Sequence, residues 1–377
     1  MVSSINTIMY NLSLLNSRNE KVTYGLSSEK ALQNGSDDSI QYNQILSVNN
    51  SVTSYSSILD RIKLSSSYNT TSDTAAASIK DSIESAKSLV LKATTATTNS
   101  DGKESIANEL ESLKDTIYSL SNSTVNNQYL FSGKSTTTQP FVKDETTGKV
   151  SYVSSNDNKT VNVETNTYNT QGVNGIELLY HTNETAQAGE DLTFNENEIV
   201  LDKNGNQYKL LDTDNDGSFD GLYLNGDSSN TPLSITDNGD GTFTTTNTGT
   251  STLESKRSIF DDLDEIINAL KQQDSNGNAI SEDEANTILS TSAEKIDNAY
   301  DNVNLAHSQL GIRTASIENY QSIVQSKVTN FKLIQESVSK ADLTALAVES
   351  QSLENTYTAL YSTINKVNNL SLVKYLD

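Results

Sequence analysis

The feature that most restricts what this chain can fold into is a pair of narrow apolar stripes, one near each end. Near the start, Ile5, Ile8, Leu12, Leu15, Asn19, Val22 and Leu26 recur in strict 3-4 spacing. Near the end, Phe331, Ile334, Val338, Ala341, Ala345 and Val348 do the same. After one irregular step at Leu353 that seam resumes as Tyr357, Leu360, Ile364, Val367 and Leu370. Such spacing puts one apolar side chain per turn on a single helix face. Neither Pro nor Gly interrupts residues 331–372. Stripes this narrow suit helices that pair with other helices rather than helices laid on a broad core. The two ends are therefore expected to pair, with Ile5, Ile8, Leu12, Leu15, Val22 and Leu26 facing Tyr357, Leu360, Ile364, Val367 and Leu370 across an assembly interface; the alternative is two unrelated surface helices that each dock on a local core. Asn19, a polar residue in the seam, is either tolerated or fixes the register. Isolated helices of this kind are marginal in water, so full folding is expected only when neighbouring chains cover them.

Between the stripes the periodicity divides the chain. Asn34-Gly35 ends the first helix, and Ser36 or Asp37 is placed to cap the next. Ile45, Val48, Val52, Tyr55, Leu59 and Ile62 open that helix; its stripe fades over residues 65–73 and returns at Ile79. Asn99-Ser100-Asp101-Gly102 separates it from a third helix carrying Ile106, Leu110, Leu113 and Ile117, which is expected to stop near Asn126-Asn127. From about residue 141 turn and strand residues take over. Asn-Gly recurs at 174–175, 204–205, 225–226 and 238–239, each a hairpin signal. Residues 222–224, 233–235 and 242–244 read as strands beside such turns. Helical spacing is expected to resume at Leu253, with a capping box at Ser281 and Glu284 and, from Ile288 onward, Gly311 as the only breaker.

The architecture expected is mostly α with a β-rich insert: an elongated molecule whose long antiparallel helices from both termini form a bundle, with the β domain at the far end. The divisions are residues 1–40 and 331–377 as the helices of an inner assembly region, 41–140 and 253–330 as the two halves of the bundle, and 141–252 as the insert. Composition suits an elongated molecule, or one that completes its core by assembling: 34% hydrophobic, 6% aromatic and no Trp in 377 residues. The net charge of −23 is concentrated in the insert, where residues 141–252 hold 5 basic and 18 acidic groups. That balance argues against a nucleic-acid partner, which needs clustered Lys and Arg. No apolar run is long enough to cross a membrane, and the first twelve residues lack the pattern of a cleaved secretory signal. With no Cys there are no disulfides, thiolate catalysts or thiolate metal sites.

The layout resembles the flagellin-like axial proteins of the bacterial flagellum, and Gln128-Tyr129-Leu130-Phe131-Ser132-Gly133, followed by Thr136-Thr137-Thr138-Gln139-Pro140-Phe141, resembles the tyrosine-leucine-phenylalanine-serine-glycine, threonine and proline-phenylalanine signature of the junction proteins among them. Within them it is similar to the hook–filament junction proteins, hook-associated protein 3. Ser36-Asp37-Asp38 resembles a motif shared by junction proteins and flagellins, although Gly35 and Ser39 stand where prolines are usual. The resemblance covers about 1–141 and 253–377. It implies a structural subunit exported without a cleaved signal by the flagellar type III apparatus and located outside the cell. It also implies partners: other copies of itself in a ring, the other junction protein, flagellin, and an export chaperone on the C-terminal helix.

No catalytic constellation is present. His181 and His307 show no partner pattern, and no phosphate-binding loop or nucleophile elbow occurs, so the chain is expected not to be an enzyme. One local pattern points to a ligand. Asp212, Asp214, Asp216 and Asp220 occupy positions 1, 3, 5 and 9 of a calcium-type loop with Gly217 at position 6; position 12 is Tyr223, where a bidentate Glu is usual. Calcium is a possible cofactor on that pattern; an acidic β-turn is the alternative. Two further readings stand beside the junction subunit: a flagellin of the filament itself, and a calcium-dependent surface adhesin.

Overall fold

A computed structural model describes residues 2–94, 100–214, 216–249, 251–275 and 277–376, with side-chain surroundings for 6–366 within those ranges. In chain order the elements begin with three helices, α1 (Val2–Ser28), α2 (Ser39–Ala93) and α3 (Ser100–Ser121). Short strands follow: β1 (Thr124–Val125), β2 (Gln128–Tyr129), β3 (Phe141–Lys143), β4 (Val150–Tyr152), β5 (Lys159–Glu164) and β6 (Thr167–Gln171). A five-residue helix, α4 (Gly175–Leu179), leads into β7 (Tyr180–Ala186), β8 (Asp191–Asn195), β9 (Ile199–Asp202), β10 (Gln207–Leu211) and β11 (Gly221–Leu224). Then come β12 (Ile235–Asp237), β13 (Thr242–Thr246) and β14 (Leu253–Ser258), and the chain closes with α5 (Ile259–Leu270), α6 (Glu282–Ser339) and α7 (Leu343–Leu376). The chain is thus mostly helical, with long helices at both ends and a β-rich middle. It forms two compact units, residues 1–60 with 322–377, and residues 61–321; α2 and α6 contribute to both.

The unit of residues 61–321 is built on one core. Ile79, Ile83 and Ala86 of α2, Ile106, Leu110 and Ile117 of α3, and Ile296, Val303 and Leu310 of α6 are buried together. The short helix α5 is amphipathic: it buries Ile259, Phe260, Leu263, Ile266, Ile267 and Leu270 and turns Asp261, Asp264, Glu265 and Asn268 to its less buried side. Ser258 caps it, accepting from Phe260 N. A second, smaller core of Leu192, Phe194, Val200, Leu222, Phe243 and Leu253 belongs to the strands. These form a five-stranded sheet ordered β11-β10-β9-β14-β7 and a three-stranded sheet ordered β12-β13-β8; every pairing is antiparallel.

The structure departs from sequence expectation at several boundaries. The third helix stops at Ser121 because a two-residue turn intervenes: Asn126 and Asn127 both take positive φ and join β1 to β2. Helix does not resume at Leu253. The alternation of buried Leu253 and Ser255 makes residues 253–258 a central strand, paired with β9 and β7. Asn174-Gly175 is no hairpin: Asn174 caps α4, its Oδ1 accepting from Glu177 N. The other three Asn-Gly pairs do form turns, between β9 and β10, after β11, and between β12 and β13. The faded stretch of α2 is continuous helix. Its buried positions are small or polar because they receive the β-rich chain: Asn69 Oδ1 accepts from Gly172 N, and Tyr68 OH donates to the carbonyls of Tyr129 and Leu130.

Candidate assembly interface

In the unit of residues 1–60 and 322–377, α1 and α7 run antiparallel as a pair. Tyr357 OH donates to Asn16 Oδ1 at 2.7 Å, and Arg18 and Glu349 approach to 3.9 Å. Gly25 lies so close to Leu346 that a Cβ there would meet Leu346 Cδ1 at 2.5 Å. Ile8, Leu12 and Leu15 are partly covered and Val22 is 3% exposed, as the seam requires. Leu26 is exposed; Gly25 takes its place on the inner face, because close approach of the two helices leaves no room for a larger residue. Asn19 is exposed. On α7, Tyr357, Leu360 and Ile364 are partly covered and Leu353 is 4% exposed. The side chains of Ile5, Val367 and Leu370 lie outside the described residues.

The irregular step in the C-terminal stripe now has a physical cause. The helix is not continuous: α6 ends at Ser339 and α7 begins at Leu343. Asp342 restarts it, its Oδ1 accepting from Thr344 N and Ala345 N, a capping arrangement. The break resets the helical phase. On α7 the covered positions are Leu346, Ser350, Leu353, Tyr357, Leu360 and Ile364, an unbroken 4-3-4-3-4 series. Ala345 and Val348, read from the other phase, are exposed, Val348 at 68%. On α6 the inner series is Val324, Val328, Phe331, Gln335 and Val338, so Ile334 is displaced by Gln335, which donates to Asn49 Oδ1. Phe331 stacks on Tyr55 at 5.3 Å. The same break is matched on the N-terminal side. Ala31 N donates to Ser339 O and Ala341 N to Glu29 O, with Glu29 at φ 57°, so the two interruptions are tied by reciprocal backbone bonds.

The two sequence motifs turn out to be structural devices. In Ser36-Asp37-Asp38 it is Asp38, not Ser36 or Asp37, that caps α2: its Oδ1 accepts from Ile40 N and Gln41 N. Asp37 instead pairs with Lys21 at 2.6 Å and accepts from Asn34 N; Lys21, then the Asn34 bond, holds its carboxyl below the usual range. Ser36 is exposed in the turn. In the second motif Leu130, Phe131, Ser132 and Phe141 are fully buried, Pro140 is buried and Tyr129 half-buried. Gly175 N donates to Phe131 O, Ser154 Oγ to Ser132 O, and Asn122 holds both backbone groups of Phe141. Gly133 has φ +60°, and a Cβ there would lie 2.3 Å from Ser155 O, so only Gly fits. Phe141 meets Phe260 edge-on at 5.6 Å. These residues lock the start of the β-rich segment onto the helical core.

Sequence reasoning missed the partners of both histidines. His181 Nε2 lies 2.7 Å from Asp262 Oδ2 in a fully buried contact, and Arg257 bridges Asp262 and Glu265. His307 Nε2 lies 3.1 Å from Asp73. The pairs are 81 and 234 positions apart in sequence, so no local spacing announces them. In the acidic loop, Asp212, Asp214 and Asp216 come together, their carboxylate oxygens within 4.8 Å of one another. Asp220 is engaged by Thr213, through both N and Oγ1, which lowers its pKa. The bond from Asp216 N pulls Asp214 down, but repulsion from Asp216, Asp220 and Asp212 and burial together leave it above the usual carboxylate range. Tyr223 is buried in β11 and offers no ligand.

Residues 3–136 match the bacterial flagellin N-terminal helical region. The chain carries a flagellin-type N-terminal region. Its fold is that of flagellar junction proteins of known structure. It is similar to FlgL of Xanthomonas campestris (19% identity, 77% of this chain and 99% of that one, TM-score 0.52). It is likewise similar to the flagellar hook associated protein-3 of Legionella pneumophila (15% identity, 78% and 98%, TM-score 0.51). No curated protein matches the chain by sequence. No helix among the described residues is long and apolar enough to cross a membrane.

Proposed function

We propose that this flagellin-like chain is a structural subunit of the bacterial flagellum that joins hook to filament. The observation that carries the reading is the helical pair α1–α7, which spends part of its apolar surface on its own seam and leaves the rest, including Met9, Tyr10, Leu14, Val348 and Tyr361, facing outward. Neighbouring copies in a ring would cover that second face, as would flagellin on one side and the other junction protein on the other. Residues 1–40 and 331–377 then form the inner assembly region, 41–140 and 253–330 the bundle, and 141–252 the acidic outer insert. The subunit works outside the cell and reaches its place by type III export, its C-terminal helix held by a chaperone until assembly. Its role is mechanical and involves no catalysis. The loop holding Asp212, Asp214 and Asp216 is a weak calcium site.

The location of a tagged protein and the phenotype of a deletion test the reading. A single spot at the base of each filament, together with hooks that carry no filament and flagellin shed into the medium after deletion, is the expected result. Label along whole filaments would make the chain a flagellin, and a diffuse surface label an adhesin.

A further inference from the structure

The β-rich part carries a half-open cavity of about 320 Å³ whose walls come from β4, β7 to β11 and the first turn of α5. Tyr152, Tyr208 and Phe219 supply aromatic faces, and Lys149, Lys209 and Glu196 add charged groups to the lining. Phe219 is held edge-on by Phe243 at 5.5 Å, so that wall is preorganised. Asp261, the third residue of α5, completes the lining. Three neighbouring carboxylates are already engaged: Asp262 on His181 and Arg257, Asp264 on Lys114, and Glu198 on Asn183 and Asn195. Asp261 has no hydrogen-bond or ion-pair partner among the described residues, and it is partly exposed where it lines the cavity. Burial pushes its carboxyl up to about 7; Arg257 and Lys149 oppose the rise, and Asp262 and Asp264 add to it. That carboxyl is therefore free to hydrogen-bond a ligand in the pocket.

The chemistry of the lining selects among ligand classes. Lys149 and Lys209 balance Glu196 and Glu198, and the Asp261 carboxyl is held toward its neutral form, so the cavity favours neither a cation nor an anion. An apolar ligand would leave Asp261 unpaired. A ring with one apolar face and several hydroxyls uses every wall, and the volume is at the small end of ligand pockets. We propose that this cavity binds one neutral sugar residue, its apolar face on Tyr208 and Phe219 and a hydroxyl on the Asp261 carboxyl. This goes beyond the junction role and does not depend on it.

The test uses the purified full chain with methyl glycosides of glucose, galactose, mannose and N-acetylglucosamine, followed by saturation-transfer NMR and titration. Propylammonium and inorganic phosphate serve as charged probes. At least one glycoside should bind saturably, and Asp261→Asn and Tyr208→Ala should each weaken it about tenfold or more. Tyr168→Ala, outside the lining, should not. If Asp261→Asn loses its near-ultraviolet circular dichroism, Tyr208→Ala decides alone. Absence of saturable glycoside binding, binding only of a charged probe, or glycoside affinity unchanged in a folded cavity variant would overturn the proposal.

Discussion

The two units use their apolar residues in opposite ways. In residues 61–321 the large apolar side chains converge on shared cores, from Ile79 and Leu110 through Phe131 and Phe260 to Leu310. In residues 1–60 and 322–377 only Val22, Ile58, Leu59, Val324, Val328 and Leu353 are buried among the described apolar residues, while thirteen large ones lie exposed, Tyr10 at 71%. Both units are helical and both carry clean 3-4 stripes, so periodicity alone does not tell a self-sufficient core from a half-finished one. What separates them is whether each stripe finds a partner within the chain. A unit that exposes apolar surface on this scale gains its remaining stabilisation from other molecules.

Breaking the seam should have the largest effect. Leu353→Asp puts an unpaired charge at the most buried described position of α7, at a cost of several kcal/mol. Incorporation into the flagellum should be abolished, with the thermal transition of residues 61–321 unchanged; electron microscopy of cells and calorimetry of the monomer read the two outcomes separately. Leu360→Asp, nearer the end of the seam, should act in the same direction with the same separation.

The converse variant strikes the self-sufficient unit. Phe131 is fully buried at the start of the β-rich segment, and Phe131→Ala should cost about 3–5 kcal/mol through lost burial and the cavity left behind. Chemical denaturation should show the whole loss in the transition of residues 61–321. A loss under about 1 kcal/mol would mean that the motif does not anchor this core.

Much of this contrast was legible beforehand. The mostly α architecture, the β-rich middle, the covered positions Ile8, Leu12, Leu15, Val22, Tyr357, Leu360 and Ile364, and the Ser281 cap, whose Oγ accepts from Glu284 N, follow from local spacing, whereas Leu26, Ile334, Ala345 and Val348 do not lie on the inner face. The break at residues 340–342 did not show, because helices are usually punctuated by Gly or Pro and here a single Asp342 restarts the turn. Its trace was nonetheless present as the irregular step at Leu353. Strand β14 reads as the start of a helix because Leu253 is its only apolar residue, so residues 253–258 show no apolar-polar alternation, and only their sheet neighbours β9 and β7 make them a strand. The cavity at Asp261 and the His181–Asp262 pair were invisible, since both are built from residues that only the tertiary fold brings together.

A smaller effect tests the charge balance within the middle unit. The folded-state pKa of Asp261 is raised from 3.8 to about 7, so its protonated form is favoured by folding. Its contribution is fully present below pH 3.8 and is lost as pH rises through about 7. Asp261→Asn should therefore leave stability at pH 4 nearly unchanged and raise it at pH 8, by on the order of 2 kcal/mol. Denaturation at the two pH values measures the difference; a variant less stable than the parent at pH 8 would show that the carboxylate is welcome where it sits. The smallest effect concerns the acidic loop. Calcium should bind with Kd on the order of 1 mM, because the position-12 ligand is missing. Calorimetry should show heat that disappears in the Asp214→Ala, Asp216→Ala double variant.

Hydrogen exchange on the free monomer and on the assembled appendage compares the two units in one experiment. In the monomer, amides of α1 and α7 should exchange orders of magnitude faster than those of residues 75–90, 106–117 and 259–270. On assembly, α1 and α7 should become protected while the core helices change little. Protection of α1 and α7 in the free monomer equal to that of the core helices would contradict the account, because their seam would then be complete without any neighbour.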